Sequence, residues 1–160
     1  MRQSFVMLIG PAGSGKSTVA SYAKRAFGNS KGEALVLSSD TIREEVYGDA
    51  NDQRNPGCIF GILNQRTYDA IATGRSVIYD ATNLVRERRI EMINKIRSIK
   101  PNCACIAVCF NTSVEECIRR QSLRDRKVPD FVIEKQWHMM HTQMPTREEG
   151  WNRICFSDQA

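Results

Sequence analysis

A phosphate-binding pattern lies near the amino terminus of the chain. The residues that match GxxxxGK(S/T) are Gly10, Pro11, Ala12, Gly13, Ser14, Gly15, Lys16, Ser17 and Thr18. An apolar run at 5–9 precedes the pattern and a helical pattern at 16–27 follows it, which is the context such a loop requires. The glycines let N–H groups face the phosphates, while Lys16 reaches the β- and γ-oxygens and Ser17 offers a hydroxyl to Mg²⁺. The pattern predicts a site for ATP and Mg²⁺.

A carboxylate and a guanidinium follow the second apolar run, at 34–38. Asp40 stands just past this run, and Arg43 lies about one helical turn later on the same side. Phosphoryl transfer to a hydroxyl needs a carboxylate within hydrogen-bond reach of the acceptor proton. Asp40 is therefore a candidate general base and Arg43 a candidate anion anchor. The alternative is that Asp40 only caps a helix starting at Thr41.

A second acidic residue, Asp80, ends the third apolar run, at 77–79. In a doubly wound sheet the third strand can neighbour the first, which would bring Asp80 close to Ser17 and the metal. Asp80 could then contact Mg²⁺ through water or orient Arg43. A turn that leads into the helix from Val85 is the alternative for this segment.

Three arginines cluster in the second half of the chain. Arg120 and Arg124 share a helix face, and Arg126 follows just beyond the helix. Guanidinium groups on a closing lid could converge on the charge that spreads over a transferring phosphoryl group. The alternative is a solvated basic face that pairs with nearby acidic side chains, namely Glu115, Glu116 and Asp125.

Two other classes of P-loop protein fit the sequence less well. A guanine-specific switch carries Asn-Lys-x-Asp, and the nearest approach, at 94–97, lacks the acid. Hydrolytic motors usually place Glu after the Asp of the third strand, whereas Ala81 follows Asp80 here. Without a water-activating acid at that position, phosphoryl transfer to an organic acceptor is the favoured chemistry.

Composition predicts one domain over 1–160, because 160 residues with 41% hydrophobic content can form one core but not two ordinary domains. The six cysteines form no CxxC pair and are interpreted as reduced thiols. No leader pattern precedes the first strand and no apolar run reaches the ~18 residues that cross a bilayer, so we expect a cytoplasmic protein without a membrane partner. A net charge of +5 favours polyanionic partners without requiring them.

Apolar runs and helical patterns alternate along the whole chain, which is typical of an α/β protein. Strands are predicted at 5–9, 34–38, 77–79, 103–110 and 152–156, and helices at 16–27, from 41, at 56–73, 85–99 and 113–123, and from about 130 to near 145. Right-handed crossovers then give a three-layer P-loop kinase fold, with a parallel five-stranded sheet and helices on both faces. An arginine-bearing lid is expected at about 120–130.

Four segments together resemble the polynucleotide 5′-hydroxyl kinase family, the kinase module of phage and bacterial end-healing enzymes. They are the loop at 10–18, Ser38-Ser39-Asp40-Thr-Ile-Arg43, Asp80-Ala-Thr-Asn83-Leu-Val-Arg86-Glu-Arg88-Arg89, and Arg120-x3-Arg124-x-Arg126-x-Val-Pro129. Their order and spacing match the family over nearly the whole chain. The resemblance implies transfer of the ATP γ-phosphate to the 5′-hydroxyl end of RNA or DNA.

The resemblance also implies roles for single residues. Lys16 and Ser17 would bind phosphate and Mg²⁺, and Asp40 would be the general base. Arg120 and Arg124 would clamp the ATP phosphates from the lid, with Arg126 beside them. On the acceptor side, the implied residues are Asp40, Arg43, Asp80, Thr82 and Asn83.

Basic residues after the third strand could neutralise further phosphates near the 5′ end. These residues are Arg86, Arg88 and Arg89. Some of them must face solvent if the segment is helical, and Arg86 or Arg89 could instead pair with Glu87 or Glu91.

Other functions stay open at the level of sequence. The main alternative is a small-molecule or tRNA-linked kinase of the same fold, acting for example on a sugar, a nucleoside or seryl-tRNA. A kinase toxin acting on a sugar nucleotide and a non-catalytic nucleotide-binding module are less favoured. The phosphatase motif Asp-x-Asp-x-(Thr/Val) and the ligase motif Lys-x-Asp-Gly of larger family members are both absent, so a separate phosphatase or ligase partner is expected.

Overall fold

The protein alternates strands and helices from end to end in a computed structural model that describes residues 2–125 and 128–157. The strands are Ser4–Ile9 (β1), Leu35–Ser38 (β2), Val77–Asp80 (β3), Ala104–Phe110 (β4) and Arg153–Ser157 (β5). The helices are Lys16–Ala26 (α1), Ser39–Tyr47 (α2), Pro56–Ala72 (α3), Arg86–Ile99 (α4), Val114–Ser122 (α5) and Asp130–Thr142 (α6), with a short 3-10 turn at Arg147–Glu149. Every predicted strand and helix is present.

All strand pairings in the sheet are parallel, and the strand order is β2-β3-β1-β4-β5. β1 is central, and all six of its residues are buried. A strand covered on both faces is expected to be apolar throughout, which explains the uninterrupted run at 5–9. The expected neighbour relation between the first and third strands is confirmed, with Leu8 opposite Asp80.

Two apolar cores cover the two faces of the sheet. Phe5, Met7 and Ile9 of β1 belong to the larger core, which α2, α3, α4 and α6 complete. Val6 and Leu8 point to the opposite core, to which α1 contributes Ala20. This alternation follows from the two-residue period of a strand and confirms the three-layer α/β architecture.

One helix boundary differs from its prediction in a way that matters for the site. α2 begins at Ser39, not at Thr41, and its N-cap is Ser38, whose side chain accepts from the backbone N–H of Thr41. The alternative that Asp40 serves as the cap is therefore wrong. Asp40 instead lies in the first turn, where a carboxylate interacts favourably with the helix dipole.

The part of the chain that the structure describes contains no helix long and apolar enough to cross a membrane. Between α5 and α6, the chain passes through the segment where the lid was expected. Within that segment, Arg126 lies outside the described residues.

Candidate nucleotide and acceptor site

The phosphate-binding loop connects β1 to α1, and its shape depends on glycine. Gly13 has φ +79° and Gly15 has φ +100°, which are left-handed values that favour glycine. A Cβ added at Gly13 would lie 2.4 Å from the carbonyl oxygen of Cys117 in α5. The backbone N–H of Gly10 donates to the carbonyl of Thr82 at 3.1 Å. The loop is therefore held between α5 and the turn after β3.

Lys16 is buried at the start of α1, with its side chain turned toward the loop. Its Nζ donates to the carbonyls of Gly10, at 2.9 Å, and Pro11, at 2.8 Å. Burial lowers the pKa of Lys16 from 10.5 to about 8, although the carboxylates of Asp80 and Asp40 oppose this shift. A bound polyphosphate would supply the negative charge that an ammonium group lacks in this environment.

Ser17, in the first turn of α1, contacts Asp80 at the end of β3. Ser17 Oγ donates to Asp80 Oδ2 at 3.0 Å. Burial raises the pKa of Asp80, and the nearby Lys16 and the Ser17 hydroxyl counteract this effect. A hydroxyl and a carboxylate beside a phosphate-binding loop are the oxygen ligands that Mg²⁺ takes together with water and phosphate. The donor set therefore fits Mg²⁺ held mainly by nucleotide and water, with Ser17 and Asp80 at its edge.

Asp40 and Arg43 form an ion pair on α2, at the carboxyl end of β2. Arg43 Nη1 donates to Asp40 Oδ1 at 2.9 Å, and Arg43 is only 7% exposed. The Nε atom of Arg43 is buried and has no hydrogen-bond partner among residues 2–125 and 128–157, and the guanidinium lies 5.9 Å from the centre of the Phe60 ring. A buried guanidinium with a free donor is a strong binding element for an oxyanion.

A cavity of about 550 Å³ joins these groups. Its lining contains seven sequence-predicted residues outside the loop glycines, namely Lys16, Ser17, Asp40, Arg43, Asp80, Thr82 and Arg124, together with Ala12, Gly13 and Gly15 of the loop, whereas Asn83 and Arg120 are not part of it. The structure thus brings the nucleotide side and the acceptor side of the predicted site into one cavity. Gly10, Pro11 and Ser14 lie in the loop and Thr18 lies in the first turn of α1, and none of the four is in the lining.

Asn83 occupies a structural position beside the cavity. It has φ +55°, and its Nδ2 donates to the carbonyls of Leu8, at 2.7 Å, and Ala81, at 3.1 Å. These bonds fix the turn after β3 against the end of β1. Both donors of the Asn83 amide are therefore engaged by backbone carbonyls, while its neighbour Thr82 lines the cavity.

The lid arginines differ in their surroundings. Arg120 Nε donates to Glu116 Oε1 at 2.9 Å, which is the ion pairing that the alternative interpretation anticipated. Arg124 lines the cavity, and its positive charge adds to the lowering that burial causes in the pKa of Lys16 and reduces the rise that burial causes in the pKa of Asp80. Of the two described arginines, Arg124 is the one beside the loop lysine.

The basic residues of α4 also separate. Arg89 is 1% exposed and donates to both carboxylate oxygens of Glu149, at 2.8 and 3.1 Å, and Arg86 lies 3.5 Å from the same carboxylate. Neither arginine pairs with Glu87 or Glu91 in the interactions of the described chain, so that expectation is wrong. Arg89 is fully buried and cannot bind a flexible polyanion, whereas Arg88 is exposed and lines the cavity.

Two glutamines of the site escaped the sequence analysis. Gln136 of α6 accepts a 2.9 Å hydrogen bond from the backbone N–H of Ala12, and Gln121 of α5 accepts from the backbone N–H of Val128 at 3.3 Å. Both glutamines line the cavity. No local pattern marks Gln136, because the loop it contacts lies 124 positions away in the sequence.

Comparison with known proteins places this geometry in a family. The family model described as "AAA domain" matches residues 5–146. The chain is 30% identical over 166 residues to "Transcription factor bHLH140" of Arabidopsis thaliana, a match that covers 98% of this chain and 16% of that protein. The chain thus spans only a small part of the length of this curated relative.

Solved structures share the fold at low sequence identity. One is the "Pnkp1/Rnl/Hen1 RNA repair complex", with a TM-score of 0.69 and 21% identity over 89% of this chain and 45% of that one. Another is a gluconokinase from Sinorhizobium meliloti 1021, with a TM-score of 0.57 and 16% identity over 100% of this chain and 86% of that one. By the match over residues 5–146, this chain belongs to the AAA domain family, with the fold of a P-loop kinase.

Proposed function

We propose that this protein is an ATP- and Mg²⁺-dependent kinase that transfers the γ-phosphate to the 5′-hydroxyl end of a polynucleotide. The observation that carries the proposal is the Asp40–Arg43 pair in the same cavity as the phosphate-binding loop. It supplies a carboxylate that can accept a proton and a buried guanidinium with a free donor for a phosphate. A 5′-terminal nucleotide presents both the hydroxyl and a neighbouring phosphate.

On the nucleotide side, loop N–H groups and Lys16 would bind the ATP phosphates. Ser17 and, through water, Asp80 would hold Mg²⁺, which offsets the negative charge of the β- and γ-phosphates when bound. Arg124 would approach the γ-phosphate from the α5 side. The engagement of Arg120 with Glu116 favours Arg124 as the catalytic arginine.

The reaction assigned to Asp40 is general-base catalysis. Its carboxylate accepts the proton of the 5′-hydroxyl while that oxygen forms a bond to the γ-phosphorus. The bond between this phosphorus and the β–γ bridging oxygen breaks, and ADP leaves with the electron pair. The proton is then released from Asp40 to solvent, and the acceptor carries a 5′-phosphate.

Charge supports a polynucleotide acceptor. The chain carries a net charge of +5, and exposed Arg88 lines the same cavity as Arg43, where it could neutralise a second acceptor phosphate. The RNA repair complex among the structural neighbours includes a protein of the same fold. On this proposal the protein acts in the cytoplasm, and a separate phosphatase or ligase completes end healing.

The test is transfer of label from γ-labelled ATP with Mg²⁺ to matched 5′-hydroxyl RNA and DNA oligonucleotides. Oligonucleotides with a 5′-phosphate serve as the control, because they lack the acceptor group. Label on only the 5′-hydroxyl strands supports the proposal. ATP binding without transfer to any oligonucleotide refutes it.

A small-molecule kinase is the second candidate, because the gluconokinase neighbour covers the whole chain and a cavity of about 550 Å³ can enclose a small acceptor. A parallel screen with sugars, hydroxy acids and nucleosides distinguishes the two. Transfer to one of these acceptors and to no oligonucleotide would establish this alternative.

A further inference from the structure

A second cavity, of about 580 Å³, adjoins the first between α3, α4 and α6. The two cavities share lining residues, including Phe60, Thr82, Arg88 and Gln136, so they are contiguous. The second cavity is more apolar than the first. Phe60, Tyr68 and Tyr79 give it an aromatic lining, and Met92 and Met139 add polarisable side chains.

One amide stands within this apolar lining with its donors unused. Asn64 Oδ1 accepts a 2.7 Å hydrogen bond from the hydroxyl of Tyr79, which fixes the orientation of the amide. Among the hydrogen bonds of the described residues, none involves Asn64 Nδ2, and the side chain is only partly buried. An amide held in this way offers N–H donors to a ligand in the cavity.

We propose that the second cavity binds the nucleobase of the 5′-terminal nucleotide, and that Asn64 determines specificity by donating to an acceptor atom on the edge of that base. The inference rests on the proposed function and names the part of its substrate that the first cavity does not hold. A planar heterocycle suits an aromatic lining because each base can stack on an aromatic face. Its ring nitrogens and carbonyls accept the hydrogen bonds that Asn64 can donate.

The layout of charges supports this assignment. Arg43 and Arg88, the candidate phosphate anchors, lie on the first cavity, and Arg88 lies on both. Phe60 belongs to both cavities and has the Arg43 guanidinium 5.9 Å from its ring centre. A nucleotide with its phosphate at Arg43 can therefore extend its base past Phe60 toward Asn64. A base bound there is unpaired, so single-stranded 5′ ends are the expected acceptors.

The experiment compares two 5′-hydroxyl oligonucleotides that differ only in the terminal residue, one with uracil and one abasic. For the wild-type protein, the abasic end should raise KM about 10-fold, because stacking is lost. Asn64→Asp keeps an acceptor for Tyr79 but removes both donors. It should raise KM for the uracil end about 3- to 10-fold, with kcat within about twofold.

The abasic acceptor separates base recognition from general charge effects. Asn64→Asp should change its KM by less than about twofold, because no base is present to lose the hydrogen bond. Asn94→Asp, an exposed change on α4 outside both cavities, is the matched control and should leave both acceptors unchanged. Equal effects of Asn64→Asp on both acceptors would overturn the role of Asn64.

A measurement on the wild-type protein covers the case in which the variant fails to fold. The fluorescence of 2-aminopurine at the 5′ end should be quenched on binding more strongly than that of 2-aminopurine five residues inward. Efficient transfer without any dependence on the terminal base, or without selective quenching, overturns this inference and leaves the proposed function standing. No transfer to either oligonucleotide, with ATP binding retained, overturns both.

Discussion

Replacing Lys16 with Met should stabilise the ligand-free protein while removing its function. The lysine is buried, and its Nζ is satisfied only by the carbonyls of Gly10 and Pro11. Burial lowers its pKa from 10.5 to about 8. The folded state therefore carries an ammonium group at neutral pH at an energetic cost, which Met avoids because it has no charge.

The size and sign of the effect follow from the pKa. Each pKa unit corresponds to about 1.4 kcal/mol, so lowering the pKa of Lys16 from 10.5 to about 8 destabilises the fold by about 3 kcal/mol at pH 7. Between pH 8 and 10.5 the unfolded chain binds more protons than the folded one at this site, so the wild type gains stability as pH rises. Titrating groups whose pKa does not depend on Lys16 are common to both proteins and cancel in the difference, whereas Asp80 loses in the variant the charge that lowers its pKa.

The assay is urea unfolding of ligand-free wild type and Lys16→Met at pH 7, 8, 9 and 10. The advantage of the variant in free energy of unfolding should shrink by up to about 3 kcal/mol as pH rises through the window. Excess ATP should then stabilise the wild type but not the variant. A difference that does not change with pH would refute the assigned burial cost of the lysine charge.

Three further predictions test the site and its support. Arg89→Ala should destabilise the protein by about 3 kcal/mol in urea unfolding, because it removes the close ion pair of the buried Glu149 carboxylate and leaves it the longer 3.5 Å contact with Arg86. Asp40→Asn should lower kcat for transfer to a 5′-hydroxyl oligonucleotide, the proposed acceptor, by at least about 100-fold, with the Kd for ATP unchanged by calorimetry. Gly13→Ala should cost about 2–5 kcal/mol and Gly48→Ala about 1 kcal/mol in thermal unfolding, because both have positive φ but only Gly13 is crowded.

Each substitution has a result that would contradict its basis. Arg66→Ala is the control for Arg89→Ala: it removes an exposed ion pair with Glu45 and should lower the free energy of unfolding by less than about 1 kcal/mol. An equally small loss in Arg89→Ala would contradict the larger cost assigned to breaking a buried ion pair. Near-full turnover in Asp40→Asn would exclude this carboxylate as the base. Equal losses at Gly13 and Gly48 would show that left-handed strain alone, and not the contact with α5, sets the cost.

The fold could be predicted because its signals are local. The uninterrupted apolar run at 5–9 indicates a strand covered on both faces, and the glycine-rich loop after it requires a strand before and a helix after. The predicted start of α2 was less accurate, because several short polar residues in succession could each serve as its N-cap. Ser38, at the end of β2, and Ser39 both precede Asp40, and only the hydrogen bond from the N–H of Thr41 to Ser38 identifies which residue caps α2.

Interactions in the site could be predicted from the sequence where both interacting residues lie on the same helix. Asp40 and Arg43 are one turn apart on α2, so their contact follows from helix geometry. Arg89 also has acidic neighbours on its own helix, but its actual partner, Glu149, lies 60 positions away in the sequence. Spacing along α4 favoured Glu87 or Glu91 and could not reveal a carboxylate that the turn before β5 brings back to the core.

The described site combines two cations whose surroundings suit an anion better than they suit the ligand-free protein. Lys16 has only carbonyl partners, and Arg43 retains a buried Nε without one. Both line the same cavity. Burying charged donors in this way destabilises the ligand-free fold. The same burial strengthens the attraction between these donors and a bound phosphate. The packing of α2, α3, α4 and α6 on one face of the sheet and of α1 on the other stabilises the fold and offsets that cost. The cores therefore allow the protein to keep two buried cations in the cavity for binding phosphate.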